Sequence, residues 1–206
     1  MTLRGFYGIV DGVHDPRSAI SLAQKLMLGG ACAVQVRMKH ASTRELALVC
    51  RAVRGAVRGV PFIVNDRVDV ALLIGADGVH LGQDDLSFAD ARRIAPGLII
   101  GVSTHNLAQA LAAAAERPDY LGFGPVYATG TKTHPDPVQG VAALAEVARS
   151  VAPIPVVAIG GITTARAPEL AAAGAAAAAA IGAVNAAPDP TAAARAIAVA
   201  FTGAAG

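Results

Sequence analysis

The sequence predicts a parallel (β/α)8 barrel, on three observations. Short apolar runs recur with helical segments between them, the unusual polar residues collect at the ends of those runs, and successive polar sites are roughly 20 to 30 residues apart, the step expected of eight strand–helix units. The runs fall at residues 6–10, 33–37, 61–64, 78–81, 98–102, 120–123 and 155–159. Helix starts lie between them. Ser42 with Glu45 forms a capping box, Ser87 precedes an acidic first turn at Asp90, Asn106 precedes residues 107–116, and Thr163 or Thr164 begins a further helix. Seven strand–helix units follow from this count, and a closed barrel needs an eighth strand. The segment 175–181 is mostly alanine, which favours helix over strand by a few tenths of a kcal/mol per residue or more. Gly174 and Gly182 bracket it, however, and residues 191–201 behind it read as a final helix. A short strand of small side chains therefore fits best, and closure is preferred to an open doubly wound sheet. The expectation is an α/β protein with a (β/α)8 fold of the TIM barrel type, one compact domain over residues 1–206. Such barrels typically take ~250 residues, so the loops must be short.

Composition narrows the function classes. Hydrophobic residues make up 54% and charged residues 16% of the 206, with a formal net charge of +2, the profile of a globular chain. Lysine and arginine are scattered rather than massed, so the basic footprint of a nucleic-acid binder is missing. The uncharged span 170–187 is mostly alanine and glycine, weakly hydrophobic, and contains Asn185, so it is not read as a membrane span. The first residues run almost directly into the first strand and leave no room for a secretion signal, which makes a cytoplasmic location the expectation. Cys32 and Cys50 lie in apolar segments without metal-binding spacing, and the five histidines include no pair placed for a metal. The sequence is silent on oligomeric state, so a homo-oligomer remains open.

The polar residues define a site. Gln35, Arg37 and Lys39 end the second strand, Asn65 and Asp66 the third, Gln83, Asp84 and Asp85 the fourth, and Ser103 the fifth. The loop 124–132 follows the sixth, Gly160 and Gly161 the seventh, and Gly182 the eighth. All share the carboxyl-end face, where barrel enzymes build their active sites. Asp66 and Asp85 would face each other past adjacent strands, a sparse oxygen site that Mg²⁺ completes with water and ligand phosphates. Singly, Asp66 also reads as a helix N-cap, and Asp84 or Asp85 as a turn residue.

QVRMK, residues 35–39, sets Gln35, Arg37 and Lys39 on one face at period two, with two cations suited to a polyanion. GPVYATGTK, residues 124–132, offers hydroxyls, exposed N–H groups and Lys132. The paired glycines of AIGGI, residues 158–162, let backbone N–H groups approach a phosphate near a helix start. Two anion sites in one mouth result, one for a pyrophosphate and one for a monophosphate. No cysteine, histidine or serine–histidine pair is placed as a nucleophile, so charge stabilisation of a leaving group is the implied chemistry. Ser103 reads as a hydrogen-bonding or proton-shuttling group.

The motifs QVRMK, VNDRVDVAL, GADGVHLGQDDL, IIGVST, GPVYATGTK and VVAIGGI together resemble those of the thiamine-phosphate synthase family, from about residue 6 to residue 200. The resemblance implies a transferase of thiamine biosynthesis that joins hydroxymethylpyrimidine pyrophosphate to hydroxyethylthiazole phosphate, giving thiamine phosphate and pyrophosphate. It implies that Gln35, Val36, Arg37, Met38, Lys39, Asn65, Ser103 and Lys132 bind the pyrimidine substrate. Arg37, Lys39, Ser103 and Lys132 would act in catalysis and Asp66 and Asp85 would hold Mg²⁺. Thr129, Gly130, Thr131, Gly161, Ile181 and Gly182 would bind the thiazole phosphate. Loss of pyrophosphate would come first, with no protein nucleophile. Apart from the resemblance, the glycine-bearing loop 128–136 is itself expected to close over the substrates as a lid. Four features depart from the family pattern: Met38 replaces an acidic residue, Gly182 a serine, Val10 the threonine before Asp11, and alanines a more β-branched eighth strand. A thiazole tautomerase-like isomerase would not need the charged set Lys39, Asp66, Asp85 and Lys132, and a non-catalytic phosphate-binding paralogue would lack a member of it.

Overall fold

The computed structural model describes residues 3–130 and 136–203. Its strands are β1 (Gly5–Asp11), β2 (Ala31–Arg37), β3 (Phe62–Asn65), β4 (Gly78–Leu81), β5 (Ile99–Thr104), β6 (Tyr120–Phe123), β7 (Val156–Ile159) and β8 (Ala177–Ala180). Each pairs in parallel with the next, and β8 pairs with β1, so the sheet closes into a TIM barrel. The helices between and after them are α1 (Pro16–Leu28), α2 (Thr43–Ala56), α3 (Val68–Ile74), α4 (Phe88–Ile94), α5 (Leu107–Ala115), α6 (Gly140–Ser150), α7 (Ala167–Ala172), α8 (Gly182–Asn185) and α9 (Pro190–Gly203).

Side chains alternate along each strand, which separates two cores. The larger lies between sheet and helices and holds Val10, Val34, Val36, Val64, Val79, Leu81, Leu121 and Phe123 with the buried faces of the helices. The smaller fills the barrel itself with Leu3, Tyr7, Ile9, Ala33, Ile63, Tyr120, Val157, Ala177 and Ala179. The composition of this inner core explains the alanine strand. Tyr7 and Tyr120 bring large rings to the axis, and Ala177 and Ala179 of β8 leave room for them. Pairing of β8 with both β7 and β1 satisfies its backbone on each side, which an isolated helix at this position could not do for the barrel edges. Tertiary closure thus overrides propensity.

The N-caps at α2, α4 and α5 form as expected, although at α2 only the serine half of the capping box is seen, the Glu45 carboxylate pairing instead with His14 Nδ1 at 2.7 Å. The Glu45 amide donates to Ser42 Oγ, the Asp90 amide to Ser87 Oγ and the Gln109 amide to Asn106 Oδ1, at 3.3, 3.1 and 2.9 Å. One expectation fails: neither Thr163 nor Thr164 starts α7. The Thr163 carbonyl instead accepts from the amides of Arg166 and Ala167 in a turn, and the helix begins at Ala167 with a proline in its first turn, where its missing N–H costs nothing. The eighth strand is also shorter than residues 175–181, because α8 begins directly at Gly182. Asn185 in α8 donates to the Ile9 carbonyl at 2.9 Å and ties this helix to β1. Among the described residues, no helix is long and apolar enough to cross a membrane.

Candidate active site

A cavity of ≈ 930 Å³ opens at the carboxyl ends of the strands. Its wall includes Gln35, Arg37 and Lys39 from β2 and just beyond it, and Asn65 and Asp66 from the end of β3. Asp85 follows β4 and Ser103 closes β5; Thr129 and Gly130 come from the loop after β6, Gly161 follows β7, and Ile181 and Gly182 follow β8. Val36 and Met38 turn the other way. Both are buried in the outer core, as period-two alternation requires, and neither lines the cavity. This location also accounts for Met38, since an apolar side chain suits a position packed under the helix layer. Thr131 and Lys132 lie outside the described residues, as does most of the proposed lid at 128–136.

The charged groups cluster on the β2–β4 side. Arg37 Nη1 pairs with Asp11 Oδ1 at 2.5 Å, and Lys39 Nζ with Asp66 Oδ2 at 2.7 Å. Asp66 adopts φ 63°, a left-handed backbone that aspartate tolerates better than most residues. That conformation takes it out of the helix: Arg67 occupies the N-cap position of α3, and the Asp66 carboxylate points into the mouth. Asp85 Oδ2 accepts from the Gly82 amide at 2.7 Å, so Asp85 orders its own turn while facing Asp66. Burial and a hydrogen bond to the Asp85 carboxyl push Asp66 up to about 6, against the opposing pull of Lys39. Two half-buried carboxyls this close repel when both ionise, and a cation between them relieves that repulsion. The donor set therefore fits a hard divalent ion with open positions for water and phosphate oxygens.

The β6–β8 side works through backbone. Gly161 adopts φ +63°, and a Cβ there would lie 2.4 Å from the Ala128 carbonyl oxygen and 2.8 Å from Tyr127 Cβ. Glycine is needed for the turn after β7 to nest against the loop after β6. Val126 and Tyr127 donate their amides to Ile159 and Gly160 at 2.8 and 3.2 Å, which fastens the two loops together. Arg166 stands over this junction: its guanidinium lies 4.2 Å above the Tyr127 ring, and Nη1 donates to the Gly161 carbonyl. Tyr127 in turn donates its hydroxyl to Glu169.

The floor of the cavity is polar. The expectation that no serine–histidine pair is placed fails here: adjacent strands β4 and β5 both turn a side chain inward, so Ser103 Oγ lies 2.8 Å from His80 Nε2. Burial holds the His80 imidazole down at about 4, so the ring is neutral. Gln83 Nε2 donates to the Ser103 carbonyl at 2.6 Å. Burial pushes the thiols of Cys32 and Cys50 up to about 11 and 12, and neither lines the cavity, so no thiolate nucleophile is at hand.

Residues 6–184 match the sequence model of a family described as thiamine monophosphate synthase. The chain belongs to this family. It is 47% identical over 192 residues to the thiamine-phosphate synthase of Chloroflexus aurantiacus, covering 92% of this chain and 88% of that protein. It is 48% identical over 201 residues to that of Anaeromyxobacter dehalogenans, covering 97% and 88%. The solved thiamine phosphate pyrophosphorylase from Pyrococcus furiosus superposes with a TM-score of 0.88 at 37% identity, covering 100% of this chain and 98% of that one.

Within this synthase fold the structure adds residues that sequence reading missed. Arg166 sits in a helix-start segment whose only signal was the threonines before it. His80 was one histidine among five without a metal partner, although its place at period two from Gly78 on β4 marks it as inward-facing. Tyr120 and Tyr7 carried the ordinary signal of strand aromatics.

Proposed function

We propose that the mouth condenses hydroxymethylpyrimidine pyrophosphate with hydroxyethylthiazole phosphate, releasing pyrophosphate and forming thiamine phosphate. The observation that carries this reading is the Asp66–Asp85 carboxyl pair beside Lys39 and Arg37, facing a glycine-built wall across one ≈ 930 Å³ cavity. That geometry offers one polyanion site and one monophosphate site within reach of each other.

Asp66 and Asp85 would hold Mg²⁺, which when bound neutralises charge on the departing pyrophosphate. Arg37 and Lys39 orient the pyrophosphate of the pyrimidine substrate, and Lys132 contributes a third cation to it. Asn65, Gln35 and Ser103 position the pyrimidine by hydrogen bonds. On the opposite wall Thr129, Gly130, Gly161, Ile181 and Gly182 receive the thiazole phosphate and Arg166 adds its guanidinium there, while Thr131 is assigned to the same phosphate by the family resemblance alone. Among the described residues, Arg166 makes no ion pair, whereas Arg37 and Lys39 each have a carboxylate partner. The C–O bond to pyrophosphate breaks, the electron-rich aminopyrimidine carries the resulting cation, and the thiazole nitrogen captures it. The protein's task is placement and electrostatic stabilisation. Phosphorylated substrates fit a cytoplasmic enzyme.

The test is to follow pyrophosphate and thiamine phosphate with both substrates present and with either omitted. Stoichiometric appearance of both products only in the complete mixture supports the synthase. Isomerisation of a thiazole phosphate alone would favour the tautomerase reading, and binding without turnover a regulatory one.

A further inference from the structure

A hydrogen-bonded string runs from the barrel axis to the floor of the cavity. Tyr7 Oη lies 3.0 Å from Tyr120 Oη, Tyr120 Oη 3.0 Å from His80 Nδ1, and His80 Nε2 2.8 Å from Ser103 Oγ. The rings are also in contact, His80 and Tyr120 stacking at 5.4 Å and 24° between their planes. Backbone makes room for them. A Cβ on Gly101 would lie 2.1 Å from Tyr120 Cζ, and one on Gly122 3.1 Å from His80 Cε1.

We propose that Tyr7, Tyr120 and His80 are positioning residues that polarise this string outward, fixing His80 as the Nε2–H tautomer and Ser103 as a hydrogen-bond donor to the ligand. Three links join four groups, and a neutral imidazole has one N–H to give. If the string runs outward, Tyr7 donates to Tyr120, Tyr120 to Nδ1, and Nε2–H to Ser103 Oγ. The Ser103 hydrogen is then free to enter the mouth. If it runs inward, Ser103 donates to Nε2, Nδ1–H to Tyr120 and Tyr120 to Tyr7, leaving the Tyr7 hydrogen to find an acceptor in the inner core.

The surroundings decide between these. Tyr7 is buried among Leu3, Ile63, Val157, Ala177 and Ala179, which offer no side-chain acceptor, and Cys32 beside this cluster offers only a weakly accepting sulfur. Beside it, Gln35 Nε2 is a buried donor with no protein partner among the described residues, and it shares a cavity of ≈ 10 Å³ with Tyr7, His80 and Tyr120. An inward string would add a second unmet donor to that spot, whereas an outward string leaves Tyr7 Oη with a free lone pair beside the Gln35 amide. Buried polar groups are overwhelmingly paired, so the outward direction is favoured. Ser103 then recognises an acceptor on its ligand, the lone pair of an unprotonated ring nitrogen or a carbonyl oxygen, and discriminates against an N–H at that point.

This assignment rests on the proposed function only in placing a substrate against Ser103, and the decisive test is independent of turnover. Long-range ¹H–¹⁵N correlation on the full chain labelled with ¹⁵N-histidine, with His80 assigned by its loss in His80→Gln, reads the tautomer directly. The Nε2–H form is expected, and the Nδ1–H form or an imidazolium at neutral pH would overturn the proposal. Kinetics supply the second readout. Tyr120→Phe should lower kcat roughly 5–10-fold, the order of one neutral hydrogen bond. His80→Gln should keep most activity, because its amide can donate to Ser103 while its oxygen accepts from Tyr120, and His80→Leu should not. Equal activity of the Gln and Leu variants would sink the positioning role. An inactive wild-type enzyme with the Nε2–H tautomer would instead discredit the synthase reading and leave the string intact.

Discussion

The two halves of the mouth are built by different means, and on the proposed function each would recognise its anion differently. On the β2–β4 side, charge sits on side chains: Arg37 with Asp11, Lys39 with Asp66, and Asp85 facing Asp66. On the β6–β8 side the wall is backbone, held in shape by the nesting of Gly161 under Ala128 and Tyr127 and by Arg166 laid over the Tyr127 ring. The difference teaches that charged recognition depends on a few atoms and tolerates packing changes nearby, whereas backbone recognition depends on loop fit and tolerates almost none. Substitutions should therefore fail differently in the two halves.

Asp85→Ala should show the largest effect. It removes one carboxylate of the pair and lowers kcat by roughly 10²–10³, the size of one well-placed electrostatic group, with the barrel intact and only the turn at Gly82 losing its hydrogen bond. Steady-state pyrophosphate release together with a thermal melt checks both parts. Gly161→Ala attacks the other half through shape. The new Cβ meets the Ala128 carbonyl at 2.4 Å in a left-handed backbone, so a loss of about 1–3 kcal/mol in urea unfolding is expected, together with a raised KM for the thiazole phosphate. An unchanged KM for that substrate would show that the glycine wall is structural only.

Arg166→Gln should be gentler, raising the thiazole-phosphate KM about tenfold while leaving the pyrimidine KM alone, as expected for one charge-assisted hydrogen bond. A matching rise in both would mean that Arg166 braces the loops rather than touching the ligand. The smallest effect concerns the floor between the halves. His80 is held at about 4 in the folded state against 6.5 for a free histidine, so the unfolded chain binds the extra proton first. Stability falls as pH drops below the free value, by on the order of 1 kcal/mol at about pH 5.5, and His80→Gln should flatten that slope in urea titrations.

Legibility in the sequence follows the same division. Seven of the strands could be read to within a residue or two at each end, and the charged residues of the β2–β4 side were placed at the mouth, because alternation sets which way a side chain points and a lysine or aspartate carries its chemistry wherever it stands. Alternation also explains why Val36 and Met38 do not reach the cavity although they lie inside the QVRMK motif. What could not be read depends on contacts across the fold. The alanines of β8 become a strand because Tyr7 and Tyr120 need space and two neighbouring edges need pairing. The late start of α7 depends on the turn at Thr163, and the role of Arg166 on a ring some forty positions earlier in the chain. The His80 string joins four strands, β1, β4, β5 and β6, and no local window contains it.

The central claim is that Asp66 and Asp85 hold the metal that assists loss of pyrophosphate, and a Mg²⁺ titration of thiamine phosphate formation tests it most directly, run on wild type, Asp66→Asn and Asp85→Asn. The account expects no product under EDTA, saturable activation of the wild type, and activation of both variants only at much higher Mg²⁺. Wild-type rates in the presence of chelator, or identical Mg²⁺ dependence in all three proteins, would contradict it.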